Sequence, residues 1–114
     1  MNFQRDDISK FFFWRASLRG MKGFEWNYEQ LKEALYWHFK KTGRRIFIET
    51  EILLISKKAL KGFNSFQKWA FFFTLNQDDY LIDFVRNNKQ FFKLTEDFIS
   101  DFDDKYDKEN PERL

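Results

Sequence analysis

The stretch FNSFQKWAFFFTL, from Phe63 to Leu75, is the segment on which the rest of the chain is expected to pack, because it offers a large aromatic surface. If Ser65 caps a helix, a rotation of about 100° per residue places four apolar residues on one side. These four residues are Phe66, Trp69, Ala70 and Phe73. The same rotation sends Phe71 to the polar side, because no helix face is wide enough for three consecutive residues. The stretch therefore predicts a core helix with a surplus of rings.

The composition limits the class of protein. A length of 114 residues suits one domain with one core, and seventeen Phe and four Trp indicate a core built mainly from rings. Since there is no cysteine, disulfides, thiolate nucleophiles and cysteine-based zinc sites are excluded. No apolar run is long enough to span a membrane, and charges interrupt any secretory signal near the N-terminus, so we expect a cytoplasmic protein.

Charge is distributed unevenly along the chain, although the formal net charge is only +2. Through Gln77 there are 14 Lys or Arg against 7 Asp or Glu, a balance of +7, whereas from Asp78 onward there are 6 against 11, a balance of −5. We expect a basic body offset by an acidic C-terminal helix. Residues 103–114 are highly charged and contain the only proline, so they are predicted to fray as an acidic tail.

Two helices are predicted in the first part of the chain. One runs from about Ile8 to Arg19. The other runs from Tyr28 to about Lys41, with Asn27 as its N-cap and Gln30 in the capping-box position. The glycine that follows, Gly43, is a typical helix stop.

The segment RRIFIETEILLIS, residues 44–56, is ambiguous. Its first half has the β-branched and aromatic composition of a strand, whereas later apolar residues repeat with helical spacing. We expect a short strand near 45–49, followed by a helix from Thr50 to about Lys61. A single strand from Arg45 to Ile55 is the alternative. Because few other segments alternate with period two, a sheet here is expected to need a second chain.

The C-terminal third is predicted to be helical. Asp78 is expected to cap a helix that carries Leu81 and Phe84, with a break at Asn87-Asn88. Apolar residues at helical spacing from Phe91 to Phe102 predict an acidic amphipathic helix. The predicted fold is therefore all-α, a single domain over residues 1–114 with five or six short helices around an aromatic core. That core is expected to contain Trp14, Leu31, Leu35, Phe66, Trp69, Phe73, Phe84 and Phe98.

Familiar catalytic signatures are absent from the sequence. His38, the only histidine, falls on an apolar stripe and has no second histidine or cysteine to form a dyad or metal pair, so we expect a structural role. Asp101 to Glu112 has acids at several positions of a calcium loop, but Lys105 cannot ligate a cation and Tyr106 replaces the required glycine. We expect a protein that is not an enzyme, with no metal, cofactor or small-molecule substrate.

Nucleic-acid binding is the alternative function that the basic residues suggest, because cations interleaved with aromatic rings are typical of surfaces that track a phosphate backbone. Residues 55–73 also loosely match a helix-turn-helix, although Gly62 follows Ala59 by three positions where four are usual. The candidate phosphate-binding residues are Arg15, Arg19, Lys22, Lys40, Lys41, Arg44, Arg45 and Lys68.

A protein interface is the function that the surplus of rings favours. If one small core cannot hold them all, some lie at the surface among Arg and Lys, as at interface centres. The alternative is that a helix surrounded by others buries rings on every side. We expect a small binding protein of bacterial or phage inhibitor or regulatory type, acting on a protein partner or on copies of itself. The predicted partner-binding residues are Phe12, Phe13, Arg15, Arg19, Tyr36, Trp37 and Phe71.

Overall fold

The computed structural model describes residues 23–109, and within that range the chain forms four helices and one three-stranded antiparallel sheet. The prediction of an all-α fold is therefore wrong, because the described chain has an α+β architecture. The predicted helix from Ile8 to Arg19 lies outside the described residues. In chain order the elements are α1 (Phe24–Thr42), β1 (Ile46–Ile48), α2 (Glu49–Ile55), α3 (Ser65–Gln77), β2 (Leu81–Arg86), β3 (Lys89–Leu94) and α4 (Glu96–Glu109).

The hairpin of β2 and β3 replaces a predicted helix. Its two turn residues, Asn87 and Asn88, have φ angles of 53° and 62°, as the two central residues of a type I′ turn require. Asparagine tolerates this left-handed conformation, and the turn matches the twist of the flanking strands. Asn87-Asn88 therefore joins two strands and does not separate two helices. Leu81, Phe84, Phe91 and Leu94, predicted to be helical, lie in these strands.

The short strand expected near 45–49 is present as β1, and its partner lies in the same chain. β1 pairs antiparallel with β3, which also pairs with β2, so the strand order is β1-β3-β2. The expectation that a sheet would need a second chain is therefore wrong. The following helix is also shorter than predicted, since α2 ends at Ile55 and a series of turns continues to Gly62.

The helix ends follow local capping chemistry. α1 stops where Gly43 adopts a left-handed φ of 73° and donates its N–H to the Phe39 carbonyl, as predicted. α1 begins a turn earlier than expected, so the side chain of Asn27 donates to the Ala59 carbonyl at 3.0 Å and does not cap the helix. α3 is capped one residue before Ser65, by reciprocal 2.9 Å hydrogen bonds between Asn64 and Gln67.

α3 lies at the centre of the core and is buried on every side. Each residue from Trp69 to Leu75 is buried, including all three consecutive phenylalanines. Phe71, expected on a polar face, is 0% exposed and stacks on Phe24 with ring centroids 4.9 Å apart. The predicted polar position of Phe71 is wrong because neighbouring elements cover this part of the helix all round. Of the predicted core residues that the structure describes, Leu31, Leu35, Trp69, Phe73 and Phe98 are buried, whereas Phe66 and Phe84 are half-buried.

The acidic C-terminal segment begins as regular helix. α4 continues to Glu109, so the first part of the predicted tail at 103–114 is helical, and residues 110–114 lie outside the described range. Phe98 and Phe102 of α4 are buried against the core. Among the described helices, none combines the length and the apolar content that crossing a bilayer would take.

Candidate binding surface

The sheet has one face against the core and one face toward solvent. Residues that are directly paired in an antiparallel sheet point to the same side, and consecutive residues alternate. Phe47 is paired with Phe92, and both side chains are fully buried on the inner side. The outer side is defined by their neighbours. This outer face consists of Ile46 and Ile48 of β1, Ile82 and Phe84 of β2, and Phe91 and Lys93 of β3.

The outer face is apolar although it meets solvent. Ile46, Ile48 and Ile82 are 42%, 39% and 45% exposed. Phe84 and Phe91 are half-buried and stack on each other, with ring centroids 5.4 Å apart and planes 19° apart. An antiparallel sheet with one solvated face normally carries polar residues there. A contiguous group of isoleucine and phenylalanine side chains in this position is the feature of an interaction surface.

Only positive side chains accompany the apolar residues on this face. Lys93 lies opposite both Ile46 and Ile82, and Arg86 is paired with Lys89 at the hairpin end. The inward direction of Asp83, which is paired with Phe92, removes the one acid of β2 from the face. The strands therefore give the outer face an apolar centre and a positive margin at the hairpin end, whereas Glu51 of α2 lies beside Ile46 and Ile48 at the β1 rim.

Glu51 fixes the start of α2 at the rim of this surface. Its carboxylate accepts the N–H of Ile48 at 3.1 Å and pairs with the Arg44 guanidinium at 2.7 Å. These two interactions, the backbone hydrogen bond foremost, lower the pKa of the Glu51 carboxyl. Arg45 forms an ion pair with Glu96 nearby. Arg44 and Arg45, which lie next to the outer face, thus each have an acidic partner.

Of the predicted partner-binding residues, the three that the structure describes, Tyr36, Trp37 and Phe71, do not form one exposed surface. Tyr36 is buried and its hydroxyl donates to Asp103 at 2.5 Å, so its expected exposure is wrong, as it is for Phe71. Trp37 is 39% exposed and contacts the ring of Tyr106. With Trp26 it lines a cleft of about 440 Å³ along α1. The other predicted residues, Phe12, Phe13, Arg15 and Arg19, lie outside the described range.

The predicted basic cluster after α1 is largely ion-paired. Arg44 and Arg45 have the acidic partners given above, and Lys40 lies 3.5 Å from Asp103. Lys41 is exposed, and Lys68 is half-buried on α3. Arg15, Arg19 and Lys22 are outside the described residues. Several other cations have no ion-pair partner within the described chain. They are Lys41, Lys68 and Lys93, then Lys57, Lys58 and Lys61 in the turn between α2 and α3, and Arg86 and Lys89 in the hairpin.

The groups considered for chemistry are explained by packing. His38 is half-buried, and its ring meets the Phe47 ring at 5.7 Å. From Asp101 to Glu109 the chain is helical and so does not form the first part of a calcium loop. Burial and a 3.0 Å hydrogen bond to Asp101 raise the pKa of the Tyr80 phenol. The hydrogen bond joins α4 to the residue that precedes β2.

Comparison with known proteins found no matching protein-family model, no matching curated protein and no matching solved structure.

Proposed function

We propose that this chain is a non-enzymatic binding protein whose outer sheet face binds another protein. The observation that carries the proposal is the set of partly exposed apolar side chains on that face, with the stacked rings of Phe84 and Phe91 near its middle. Removing such side chains from water contributes roughly 25 cal/mol for each Å² buried. Aromatic anchors among aliphatic side chains, with charges at the margin, match the anatomy of an interface centre.

The charge of the margin indicates the chemistry of the partner. Lys93, Arg86 and Lys89 point to the outer side without an acid among them. A partner surface that combines apolar residues with Asp or Glu would complement this face, and a basic surface would be repelled. A small inhibitor or regulatory protein of bacterial or phage type, in the cytoplasm, is the setting that we propose.

The experiment uses two lysine substitutions on β1, Ile46→Lys and Ile48→Lys, at side chains that point away from the core. The full chain and each variant are used to capture partners, and binding of each captured protein is then measured with purified components. Leu54→Lys is the matched control, because Leu54 is 72% exposed and lies on α2. We expect at least a tenfold loss of affinity for the sheet variants and none for the control, since hot-spot substitutions cost about 2 kcal/mol or more. Equal binding by all three variants would contradict the proposal.

Nucleic-acid binding is a second candidate, favoured by topology and by the cations without described ion pairs. A helix, a turn, a second helix and an adjoining hairpin, in that order, form the outline of a winged helix-turn-helix domain. Lys89 of the hairpin lines a shallow cleft together with Glu49 and Thr50 of α2, so the hairpin lies beside the first helix of that unit. Lys57, Lys58 and Lys61 are exposed in the turn between the helices.

The burial of α3 places nucleic acid second. In a helix-turn-helix protein the second helix lies in the major groove and presents side chains to base edges. From Trp69 to Leu75 this helix is buried, which leaves Ser65, Gln67 and Lys68 near its N-terminus for such contacts. The arrangement supports phosphate contacts better than base recognition.

A polarisation titration of duplex DNA at two salt concentrations tests the second candidate. If phosphates are bound, the logarithm of the binding constant falls with the logarithm of the salt concentration, with a slope of about 0.9 for each phosphate contacted. The double variant Lys57→Glu with Lys61→Glu is expected to abolish binding. Lys105→Glu is the control, because Lys105 is exposed on the acidic helix α4 and is not among the candidate phosphate-binding residues. No binding at low salt would remove this candidate.

A further inference from the structure

We propose that a second copy of this chain pairs with the free edge of β2, so that two sheets join into one continuous antiparallel sheet. β2 is an edge strand in the order β1-β3-β2, with β3 on one side and no strand on the other within the described chain. This inference goes beyond the proposed function, because it concerns the edge of the sheet and identifies the occupant.

A hydrogen bond between β3 and β1 shows toward which neighbouring strand the backbone N–H and carbonyl of each β3 residue point. The Leu94 N–H donates to the Arg45 carbonyl at 2.9 Å, so the backbone of Leu94 is directed toward β1. Because backbone direction alternates along a strand, Phe91 and Lys93 are directed toward β2. On the β2 side, the Thr95 N–H donates to the Tyr80 carbonyl at 3.1 Å, which fits the same alternation.

The same alternation identifies the free backbone groups of β2. Ile82 and Phe84, the partners of Lys93 and Phe91, face β3. Leu81, Asp83 and Val85 therefore face outward. The Leu81 carbonyl already accepts from the Asn76 side chain at 3.0 Å. Within the described chain, no hydrogen bond reaches the backbone N–H or carbonyl of Asp83 or Val85.

These free groups fit a second copy in one antiparallel register. In this register Asp83 of each copy pairs with Val85 of the other copy. The two pairs lie on either side of a two-fold axis, and within each pair the two residues exchange N–H to carbonyl hydrogen bonds. A register centred on Asp83 would place two like charges opposite each other. A register centred on Val85 would require Asn87, whose φ of 53° is outside the strand region. The favoured register is therefore centred on Phe84.

The register extends the outer face across both copies. Phe84 would lie directly opposite Phe84 of the second copy, at a position where side chains approach closely. Since Phe84 is paired with Phe91, and Phe91 with Ile48, one apolar row would run across the joined sheet. No pair of like charges faces across the new edge, because Arg86 would be opposite Ile82.

The first test removes the outward N–H of Val85 with the substitution Val85→Pro. Proline is tolerated on an edge strand where its nitrogen faces solvent, so pairing of β2 with β3 is retained. Val85→Thr keeps the N–H and is the control. In sedimentation equilibrium of the full chain, we expect a dimer whose Kd rises about tenfold or more in Val85→Pro, since each lost backbone bond weakens pairing severalfold, and is unchanged in Val85→Thr. A chain that is still a monomer at about 0.1 mM would overturn the proposal.

The second test uses the absence of cysteine in the chain. With Phe84→Cys, two copies would place their cysteine Cα atoms about 4.5 Å apart, a distance that a disulfide can bridge. Leu54→Cys and Ile82→Cys are the controls. Rapid oxidation to a covalent dimer at position 84 alone supports the register, and equal rates at all three positions overturn it. If the chain is a monomer and Ile48→Lys still abolishes binding of the protein partner, this dimer is refuted and the proposed function is left intact.

Discussion

Phe84 on β2 and Phe91 on β3 stack on the solvent side of the sheet, with ring centroids 5.4 Å apart. Directly behind this pair, on the opposite side, Phe92 is fully buried against the core. The sheet is thus apolar on both faces, whereas a sheet that needed only to cover the core would be apolar on one. The second apolar face is the physical basis of the proposed binding function.

Polar substitutions on the outer face should have little effect on the stability of the isolated protein. Ile46→Thr and Ile82→Thr keep a β-branched side chain at sites 42% and 45% exposed. We expect the free energy of unfolding to change by about 0.5 kcal/mol or less, as measured by urea denaturation. Phe47→Thr on the inner side is the contrast and should cost about 3 kcal/mol or more. Comparable losses at positions 46 and 47 would show that the outer face is part of the core.

Phe71→Ala should be among the most destabilising substitutions in α3. The ring is 0% exposed and contacts Phe24 and Phe63 at centroid distances of 4.9 and 5.0 Å. Its removal loses burial and leaves a cavity, with an expected cost of about 3 to 5 kcal/mol. Leu54→Ala, at an exposed site, should cost much less. A small effect at Phe71, in chemical denaturation with an unchanged m-value, would contradict the central position of α3.

The hairpin turn should respond to substitutions according to the sign of φ. Asn88 has a φ of 62°, a conformation that glycine adopts freely and valine does not. Asn88→Gly should preserve or slightly raise stability, whereas Asn88→Val should cost about 1 to 2 kcal/mol. Thermal unfolding followed by circular dichroism distinguishes these outcomes. Equal stability of the two variants would refute a type I′ turn.

The contacts of Glu51 predict that the stability contributed by the start of α2 depends on pH. Its folded pKa lies below the ordinary value of 4.5 because the ionised carboxylate accepts the Ile48 N–H and pairs with Arg44. The stabilisation is therefore fully present above the pKa of the unfolded chain and is lost as the pH falls through the folded pKa.

The matched substitution Glu51→Gln keeps the shape of the side chain and removes its charge. At pH 7 the wild type should be more stable by about 0.5 kcal/mol, the size expected for a partly exposed charge at a helix N-terminus. The difference should shrink as the pH is lowered from 7 to about 2, as the carboxylate becomes protonated. A difference that is the same at both pH values would exclude the ionised carboxylate as its source.

Local signals predicted some elements correctly and tertiary packing decided the rest. The stop of α1 at Gly43 and the strand around Phe47 follow from residue chemistry that acts within a few positions. The spacing from Phe91 to Phe102 fits a helix and conceals the hairpin, although Asn87-Asn88 between two segments that mix aromatic or β-branched residues with polar ones is an available turn signal. Spacing alone cannot distinguish one helix from a strand followed by a helix.

The candidate site could not be located from helical rotation. A helix covered on one side exposes the residues opposite its stripe, but α3 is covered all round, and Phe71 is therefore buried. The exposed apolar surface arises from alternation along strands that the sequence did not identify as a sheet. Ile82 and Phe84 become an outer face only when β2 is known to be a strand and its inner residue, Leu81, is known to be buried.

Site-specific photo-cross-linking shows whether the outer sheet face contacts another protein. A photoreactive phenylalanine analogue replaces Phe91 on the outer face or, as a control, Leu54 on α2, in the full chain expressed in its native host. We expect covalent adducts with a defined protein from position 91 and none with that protein from position 54. No adduct from position 91, or the same products from both positions, would contradict the proposed binding function.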